Sequence, residues 1–396
     1  MKNCLYLSYD GLLDPLGQSQ VIPYIECLVA AGHSFTVISY EKVNRSVQEI
    51  ASLERRLRKA DVKWLRLPFR QGKWEVVKRV IAGIAAVRKA CRRTGPDIVH
   101  LRGLMPAVIY KLSLSRVPHL YDFRGFAVGE WTDIGKIRAG SLAHQVLQRI
   151  DRSAVETACG LVVLEKAAEA LLRKTYKVPN VPLKVIRTCT DVALYLPREG
   201  SGASSRRESI HFVHLGGARR PYRPDLALKL VSQLLKNGID CRVEFLNERD
   251  HADIGAAAEE VGFPQDRMTV LRLDQKRIPH ALQKYDCGLV FLDSSPWRRV
   301  CSPTKIGEYL AAGLPVVSLN GIDVLEQLAS STKCVEIVNQ EELLSGIGMA
   351  TIDRLTSFIH RPGVGLACQE LARRECSLDM AGRLYTELYA EIEARL

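Results

Sequence analysis

The sequence predicts an α/β protein built from two doubly wound parallel sheets, one in each half of the chain. Three observations lead to this fold class. Short apolar runs alternate with amphipathic helical stretches, as expected where a crossover helix follows each parallel strand. The most Gly/Ser-rich stretch, PREGSGASSRRES at 197–209, divides the chain into two similar halves. The length of 396 residues suffices for two domains that each bury a core.

The order of the predicted elements is the same in both halves. Strand-like runs in the first half lie at 3–8, 35–40, 62–67, 97–101, 118–122 and 160–164, with helical patterns between them, for example at 18–31, 74–93 and 141–158. Runs in the second half lie at 210–215, 241–246, 268–272, 286–292, 314–319 and 333–337. We expect the two sheets to face each other across a cleft at the carboxyl ends of their strands, where open α/β sheets bind ligands.

Composition excludes several classes of protein. Apolar residues make up 47% of the chain and charged residues 25%, which is typical of a folded globular protein. No apolar run reaches the ~18–20 residues that a membrane-spanning helix needs, and the start MKNCLYLSYDG turns polar too early for a signal peptide. The 11 cysteines form no C-x-x-C pair, so we expect neither a zinc site nor a disulfide framework and predict a cytoplasmic protein.

The net charge of +12 is concentrated in the first half of the chain. Residues 1–200 hold 32 basic and 18 acidic side chains, whereas residues 201–396 hold 24 and 26. An acidic membrane surface, a phosphorylated substrate and nucleic acid would all be attracted to such a charge. No nucleic-acid-reading motif accompanies it, so we predict no nucleic-acid partner.

The stretch WEVVKRVIAGIAAVRKACRR at 74–93 predicts a basic amphipathic helix. Its apolar stripe consists of Val76, Val77, Val80, Ile81, Ile84 and Val87. We expect this stripe to cover the sheet and the basic side chains to form a solvated face. The charge also favours peripheral attachment to anionic lipid, where each basic residue near the surface contributes ~1 kcal/mol.

The most informative segment is SPTKIGEYLAAGLPVV at 302–317. Ser302 before Pro303 predicts the start of a helix, and Gly313 predicts its end before the next buried strand. The start of this helix then lies at the carboxyl edge of the second sheet. There, free N–H groups and the positive end of the helix dipole favour a diphosphate.

Lys305 and Glu308 lie three residues apart on one face of this predicted helix. The lysine suits the phosphates of a nucleoside diphosphate and the glutamate suits the ribose hydroxyls, with Ser302 and Thr304 as further nucleotide contacts. An exposed ion pair between the two, worth only ~0.2–0.5 kcal/mol, is the alternative. No G-x-G-x-x-G, G-x-x-x-x-G-K-[ST] or D-x-D motif occurs, so neither a dinucleotide fingerprint, a P-loop nor a metal-holding acidic pair is predicted.

This segment resembles that of the family 4 glycosyltransferases, GT-B-fold enzymes of which one branch carries S-P-T-K-x-x-E-Y-L-A-x-G-x-P-V. The stretch DPLGQSQVIPY at 14–24, followed by Gly32 and His33, is similar to the glycine loop and first helix of that family. YDFRGFAVGE at 121–130 resembles a D-x-R-G-F motif of the same branch, and VIRTCTD at 185–191 stands where relatives have an interdomain hinge. The resemblance spans roughly residues 3–330.

The resemblance implies a division into domains. We expect an N-terminal acceptor-side domain at 1–198, a linker at 199–209 and a C-terminal domain that binds the nucleotide-sugar at 210–375. The segment 376–396 is expected to form a helix that packs back on the N-terminal domain.

The resemblance also implies roles for residues outside the segment. Relatives use basic residues after the first strand of the second domain to neutralise the leaving diphosphate. Arg219 and Arg220 are therefore candidate catalytic residues and Arg223 a nucleotide contact, with the choice among them open and a solvated basic turn as the alternative. Gly17 would let backbone approach the diphosphate, unless it is only a turn residue. Asp14 and Gln18 are candidate contacts to the acceptor or the sugar.

Two departures from the family pattern concern the donor sugar. Many relatives have Glu-x7-Glu, and counting back from Glu308 gives Val300, so Arg298, Arg299 or backbone amides would contact the sugar instead. Many relatives also have a histidine after the strand at 118–122. Here Arg124 is nearest, and we take it as a catalytic candidate that suits an anionic sugar or a phosphate, with a structural salt bridge as the alternative. Arg102, at the end of the strand at 97–101, is a further candidate contact.

The predicted function is the retaining, metal-independent transfer of a sugar from a UDP- or GDP-type donor to a hydroxyl acceptor, with no cofactor. The expected acceptor is a polyprenyl-diphosphate-linked or other saccharide, in bacterial cell-surface polysaccharide or lipid-linked glycan assembly. A nucleotide-sugar epimerase of the same fold is one alternative, and it would isomerise the donor alone. A non-catalytic sugar-nucleotide-binding protein is the other, and it would bind the donor without turnover.

Overall fold

The computed structural model of the chain describes residues 3–196 and 209–396, which divide into two compact units. Unit 1 comprises residues 3–189 and Leu378–Leu396, and unit 2 comprises Thr190–Ser377. Each unit is built around a parallel sheet. The predicted α/β class with two parallel sheets is therefore confirmed.

The sheet of unit 1 has seven strands in the order β3-β2-β1-β4-β5-β6-β7. Their bounds are β1 Asn3–Ser8, β2 Ser34–Lys42, β3 Lys63–Phe69, β4 Ile98–Arg102, β5 His119–Asp122, β6 Gly160–Val163 and β7 Leu183–Val185. Helices of this unit are α1 Ile22–Ala30, α2 Val47–Lys59, α3 Lys73–Thr94, α4 Leu104–Leu112, α5 Ala127–Asp133, α6 Leu142–Glu156 and α7 Lys166–Thr175. A short π-helix at Gly17–Val21 precedes α1.

The sheet of unit 2 has six strands in the order β10-β9-β8-β11-β12-β13. Their bounds are β8 Ile210–Leu215, β9 Cys241–Leu246, β10 Met268–Leu271, β11 Cys287–Val290, β12 Val316–Leu319 and β13 Val335–Val338. Its helices are α8 Pro224–Lys236, α9 His251–Val261, α10 Ile278–Ala281, α11 Thr304–Ala311, α12 Asp323–Ser331, α13 Gln340–Ser345, α14 Met349–Ile359 and α15 Val364–Glu375. The last helix of the chain, α16 Leu378–Glu393, belongs to unit 1.

The boundary between the units differs from the predicted end of the first domain at residue 198. Ile186 and Cys189 are buried in the core of unit 1, so the chain stays in that unit after β7. Thr190 then pairs with Ser377 inside unit 2. The predicted linker at 199–209 lies outside the described residues, apart from Ser209.

Helix α16 is held in unit 1 by buried aromatic and aliphatic side chains. Tyr385, Tyr389 and Ile392 join the core formed by the first strands and helices of this unit. Gly160 makes this packing possible, since a Cβ there would lie 2.3 Å from the Cδ1 atom of Ile392. The tail of the chain is therefore a structural part of unit 1.

The face that helix α3 presents to the sheet is only partly the one that the sequence predicts. Arg79, Gly83 and Val87 face inward, and Gly83 lies so close to Tyr40 that a Cβ would meet the tyrosine hydroxyl at 2.2 Å. The predicted covering stripe is partly in solvent, because Val76, Val77 and Ile81 are exposed by 38%, 50% and 61%. In the part of the chain that the structure describes, no helix combines the length and the apolar character needed to cross a membrane.

Candidate functional site

The strand order of each sheet places two loops side by side at its carboxyl edge. In unit 2 the chain leaves β8 toward β9 on one side, and leaves β11 toward β12 on the other. In unit 1 the same reversal occurs between β1 and β4. Such switch points form the crevices in which open α/β sheets bind ligands. The candidate residues of the two units lie in the loops and helix starts that follow these strands.

Lys305 is a buried lysine in the first turn of α11, with 3% of its surface exposed. Its Nζ atom has no hydrogen-bond partner among the described residues and lies 4.0 Å from the ring centre of Tyr222. Gly216, which follows β8, faces this ammonium group, because a Cβ at that glycine would lie 3.9 Å from Nζ. Burial lowers the pKa of Lys305 to about 7. A buried cation without an anionic partner is costly, which is typical of a site that awaits an anion.

Glu308 lies one turn along the same helix and is half-buried. Burial raises the pKa of Glu308 to about 7, and Lys305 opposes this shift. No ion pair within 4.0 Å joins the two side chains among the described residues, and Lys305 is not exposed. The exposed ion pair that was the alternative for this motif is therefore not what the structure contains.

Helix α11 begins later than the sequence predicts. Pro303 is the residue that caps it, with an extended backbone, and Thr304 is its first residue. Ser302, the predicted cap residue, precedes the cap position by one residue. Ser302 and Thr304 are both half-buried at this helix start.

The three candidate arginines after β8 are all close to carboxylates. Arg219 donates to Asp253 at 2.8 Å, and its side chain is 70% exposed. Arg223 is held on both sides, with its Nε 2.9 Å from Asp225 and its Nη1 2.9 Å from Asp293. Arg223 therefore shapes the loop.

Arg220 is the least engaged arginine of the three. Its side chain is 74% exposed, and its Nη1 atom lies 3.4 Å from a carboxylate oxygen of Asp293. It is consequently the arginine most available to a phosphate.

The position of the family's first glutamate is occupied by a buried aliphatic side chain, Val300. The two neighbouring arginines, Arg298 and Arg299, differ in how far they are free to contact a ligand. Arg299 is engaged with Asp323 through Nε and Nη2, at 2.9 and 2.6 Å. Arg298 is buried, and its guanidinium makes one long contact of 3.4 Å to the carbonyl oxygen of Asp293. Of the two, Arg298 retains the larger capacity to donate hydrogen bonds to a ligand.

In unit 1, the loop after β1 is folded onto itself by its own polar groups. Asp14 forms ion pairs with Lys42 and Arg45. Gln18 donates from Nε2 to the carbonyl oxygen of Leu12 at 2.6 Å. Gly17 packs on the same turn, since a Cβ there would lie 2.1 Å from the carbonyl oxygen of Gly11. This packing alone requires a glycine at position 17, and its approach to a diphosphate stays a prediction.

A buried charged cluster lies at the carboxyl ends of β4 and β5. Arg102 and Asp122 are register partners there, and Arg102 Nη1 lies 3.4 Å from Asp122 Oδ2. Arg124 Nη1 lies 3.5 Å from Asp122 Oδ1, and its Nη2 lies 3.4 Å from the hydroxyl of Thr188. The structure therefore brings Arg102 and Arg124 together around one carboxylate. This arrangement includes the salt bridge that was the alternative for Arg124.

Several residues that hold these sites were not singled out from the sequence. Asp122 stood inside the quoted D-x-R-G-F stretch, and its position at the end of a buried strand was the signal. Tyr222, which lies under Lys305, and Asn247, whose side chain donates to the carbonyl oxygen of Gly216, carry no recognisable motif. His214 is fully buried beside Lys305, and burial lowers its pKa. Among the described residues, no group of three or more His, Cys, Asp or Glu side chains could hold a metal ion.

Comparison with known proteins gives information on the family and the fold. Residues 20–189 match the model of a family described as the glycosyl transferase 4-like domain. No curated protein sequence matches the chain. The chain shares little sequence identity with solved structures, but its fold matches theirs over nearly the whole length.

Three solved structures illustrate this similarity. Sucrose-phosphate synthase from Thermosynechococcus elongatus is 14% identical, with 100% of each chain covered and a TM-score of 0.76. HepE of Anabaena, in complex with UDP-glucose, is 12% identical, with 98% of this chain and 100% of that chain covered and a TM-score of 0.66. A protein of Listeria monocytogenes assigned as a UDP-N-acetylglucosamine 2-epimerase is 13% identical, with 96% and 94% covered and a TM-score of 0.55. The family model thus matches residues 20–189, and the solved structures show that the chain has the GT-B fold.

Proposed function

Since residues 20–189 carry a glycosyl transferase 4-like domain and the chain has the GT-B fold, we propose a retaining, metal-independent glycosyltransferase that uses a nucleotide diphosphate-sugar. The observation that carries the proposal is Lys305. It is a buried ammonium group at a helix start beside the switch point of unit 2, and none of the residues that the structure describes forms a hydrogen bond with it. A diphosphate would supply the missing negative charge. The similarity to HepE, which was solved with UDP-glucose, supports a donor of this class.

The donor would bind to unit 2 through two neighbouring groups. Lys305 and the first N–H groups of α11 would contact the diphosphate, and Arg220 would add a second cation. Glu308, half-buried and without an ion pair to Lys305, would accept hydrogen bonds from the two ribose hydroxyls. The carboxylate needs to be ionised for this role, which a bound diphosphate favours by keeping Lys305 charged.

In the proposed reaction, the bond between the sugar C1 atom and the diphosphate oxygen breaks while the acceptor hydroxyl oxygen forms a bond to C1 on the same face. The departing phosphate oxygen takes the proton of that hydroxyl. The products are the glycosylated acceptor and the nucleoside diphosphate, and configuration at C1 is retained. The protein would act by stabilising the charge that grows on the diphosphate, for which Lys305 and the start of α11 are preorganised.

The nucleotide that binds is tested by thermal shift with UDP, GDP and ADP. A ligand at 100 times its dissociation constant stabilises the folded state by ~2.7 kcal/mol, which raises the melting temperature of a unit of this size by roughly 5 °C. We expect one nucleotide to give such a shift and Glu308→Gln to lose most of it. Glu341→Gln, which removes an exposed carboxylate of the same unit, is the matched control.

Either of two results would overturn the donor site. One is that none of the three nucleotides shifts the wild-type protein. The other is that Glu308→Gln responds as strongly as Glu341→Gln. If a nucleotide-sugar is isomerised in the absence of an acceptor, the epimerase reading replaces the transferase. Binding without turnover on any acceptor favours the sugar-nucleotide-binding protein.

We propose further that unit 1 attaches to anionic membrane and takes its acceptor there, as expected for a polyprenyl-diphosphate-linked saccharide in cell-surface glycan assembly. The exposed face of α3 supports this proposal. Trp74, Val77 and Ile81 lie on it at helical spacing, with Lys78 and Arg88 beside them. An exposed apolar face with basic flanks is the pattern of helices that lie in the membrane interface.

The membrane proposal predicts that Trp74→Ser/Ile81→Ser binds vesicles of phosphatidylglycerol and phosphatidylcholine at least tenfold more weakly than the wild type. The reason is that both side chains would insert below the headgroups. Co-sedimentation measures the binding to vesicles. Vesicles of pure phosphatidylcholine, which carry no net charge, show how much of the binding is electrostatic. Met349→Ser/Leu366→Ser, which changes two exposed side chains of unit 2, is the control. Equal binding of the two double variants, or no binding of the wild type, would contradict attachment through α3.

A further inference from the structure

Arg102 and Arg124 form a cluster in unit 1 that carries more positive than negative charge. Both guanidinium groups approach one carboxylate, Asp122. The side chain of Arg102 is 4% exposed, that of Arg124 is 18% exposed, and Asp122 is fully buried. Two guanidinium groups against one carboxylate leave an unbalanced positive charge at the carboxyl edge of the sheet.

The surrounding ionisable groups do not restore the balance. Burial lowers the pKa of His100 and raises the pKa of Tyr385, so both are neutral near pH 7. Glu165, after β6, is engaged with Arg187 through both oxygens at 3.0 Å. Asp10 acts on Arg102 from the loop after β1, but among the described residues the two form no ion pair within 4.0 Å.

Some donors of the cluster have no acceptor. Arg102 Nε, Arg124 Nη1 and the hydroxyl of Tyr6 are buried and make no hydrogen bond among the described residues. A buried donor without a partner costs about 1–3 kcal/mol, and more when the group is charged. Asp122 orients both guanidinium groups, Arg124 through a 3.5 Å ion pair from Nη1 to Oδ1, yet no hydrogen bond satisfies Arg102 Nε or Arg124 Nη1 among the described residues. Such an arrangement is a preformed receptor for an oxyanion.

We infer that this cluster binds an acidic group, a carboxylate or a phosphate, carried by one of the two substrates. The inference rests on the proposed function, because it places this group on the sugar or on the acceptor of the transfer. Arg124 is the more exposed of the two arginines and contacts the acidic group at the surface, and Arg102 contacts it from a more deeply buried position. A neutral hydroxyl leaves the positive charge uncompensated, so neutral analogues bind more weakly at this position.

The test compares matched acidic and neutral ligands by isothermal titration and thermal shift. The donor arm uses UDP-glucuronate against UDP-glucose, or GDP-mannuronate against GDP-mannose where GDP is the nucleotide that binds. The acceptor arm uses farnesyl phosphate against farnesol in the same detergent. We expect the wild type to prefer the acidic ligand at least tenfold in one arm, and that arm identifies the substrate that carries the group.

The variants separate binding from a structural role. Arg124→Gln is expected to abolish the acidic preference, and Arg124→Lys to retain part of it. Arg116→Gln removes an exposed arginine of the same unit and should keep the full preference. Because each preference is a ratio measured within one variant, a lower melting temperature alone does not change it.

The possible results are distinct. If UDP or GDP stabilises the wild type but neither arm shows an acidic preference, the oxyanion receptor is wrong and the donor site stands. If the acidic preference is unchanged in Arg124→Gln, the group binds elsewhere and the inference also fails. If no nucleotide and neither acceptor analogue binds, the inference and the proposed function fail together.

Discussion

Lys305→Met is expected to reduce the catalytic efficiency of sugar transfer by about 10²–10³-fold or more, while the protein stays folded. The removal of one preorganised donor from a site that stabilises growing negative charge typically has an effect of this size. Methionine preserves the length and apolar stem of the buried lysine. The measurement is transfer from the donor found by thermal shift, together with UDP or GDP affinity. Lys236→Met, at an exposed lysine of α8, is the matched control.

The stability of this variant distinguishes a binding role from a structural one. Burial lowers the pKa of Lys305 from its ordinary value of 10.5 to about 7, so keeping it in the folded protein at pH 7 costs on the order of 4 kcal/mol. Its removal relieves that cost, while Glu308 loses its only cation on the same helix face. These effects oppose each other, and we expect the melting temperature of Lys305→Met to change little.

The double variant Lys305→Met/Glu308→Gln removes both desolvated groups and should melt above the wild type at pH 7. The gain has a defined pH dependence. The part of the gain that comes from removing Lys305 is full below about pH 7, the lowered pKa of this lysine, and disappears as the pH rises toward 10.5. The part that comes from removing Glu308 is absent below about pH 4.5 and is full above about pH 7, the raised pKa of this glutamate. A double variant that melts well below the wild type would show that the pair supports the fold. Transfer by Lys305→Met within tenfold of wild type would remove Lys305 from the proposed mechanism.

The fold could be predicted from the sequence to a large extent because each strand is a short apolar run and each helix has an amphipathic period. The missed strand, β7, has only three residues and follows Pro182, so it has no period of its own, and its pairing with β6 depends on tertiary context. The start of α11 at Thr304 was misplaced by the Ser-Pro pair, which is a helix-start signal wherever it occurs.

The candidate sites were predictable only where one short segment carries the chemistry. Lys305 and Glu308 lie on one helix turn, so their spacing alone predicted that they act together. Asp122, in contrast, acts on Arg102 from the next strand and receives a hydrogen bond from Tyr385 at 3.1 Å, far along the chain. No sequence pattern encodes such a contact. For α3, the periodicity predicted an apolar stripe but could not show that Arg79 and Gly83 would face the sheet together with Val87.

The second large effect is expected for Asp122→Asn, which should destabilise unit 1 by about 3–5 kcal/mol and lower its melting temperature by roughly 10 °C. The loss of this carboxylate leaves Arg102 and Arg124 as buried cations without a counterion. The hydrogen bond from Tyr385, which fixes α16 to β5, also weakens. Thermal melts of the ligand-free protein measure the effect, and Asp133→Asn, at an exposed aspartate of α5, is the control.

A double-mutant cycle tests the cause of this loss. If uncompensated charge destabilises Asp122→Asn, then Asp122→Asn/Arg102→Met should recover part of the melting temperature, because it removes one of the two buried cations. Acid supplies a second test. Burial raises the pKa of Asp122, but Arg124, His100 and Arg102 outweigh this and hold it well below its usual range. The carboxylate therefore stabilises the fold above pH ~4, and that stabilisation is lost as the pH falls, whereas Asp122→Asn has none to lose. If Asp122→Asn melts at the same temperature as Asp133→Asn, groups other than Asp122 compensate the charges of the two arginines. The excess positive charge that the oxyanion receptor requires would then be absent from this cluster.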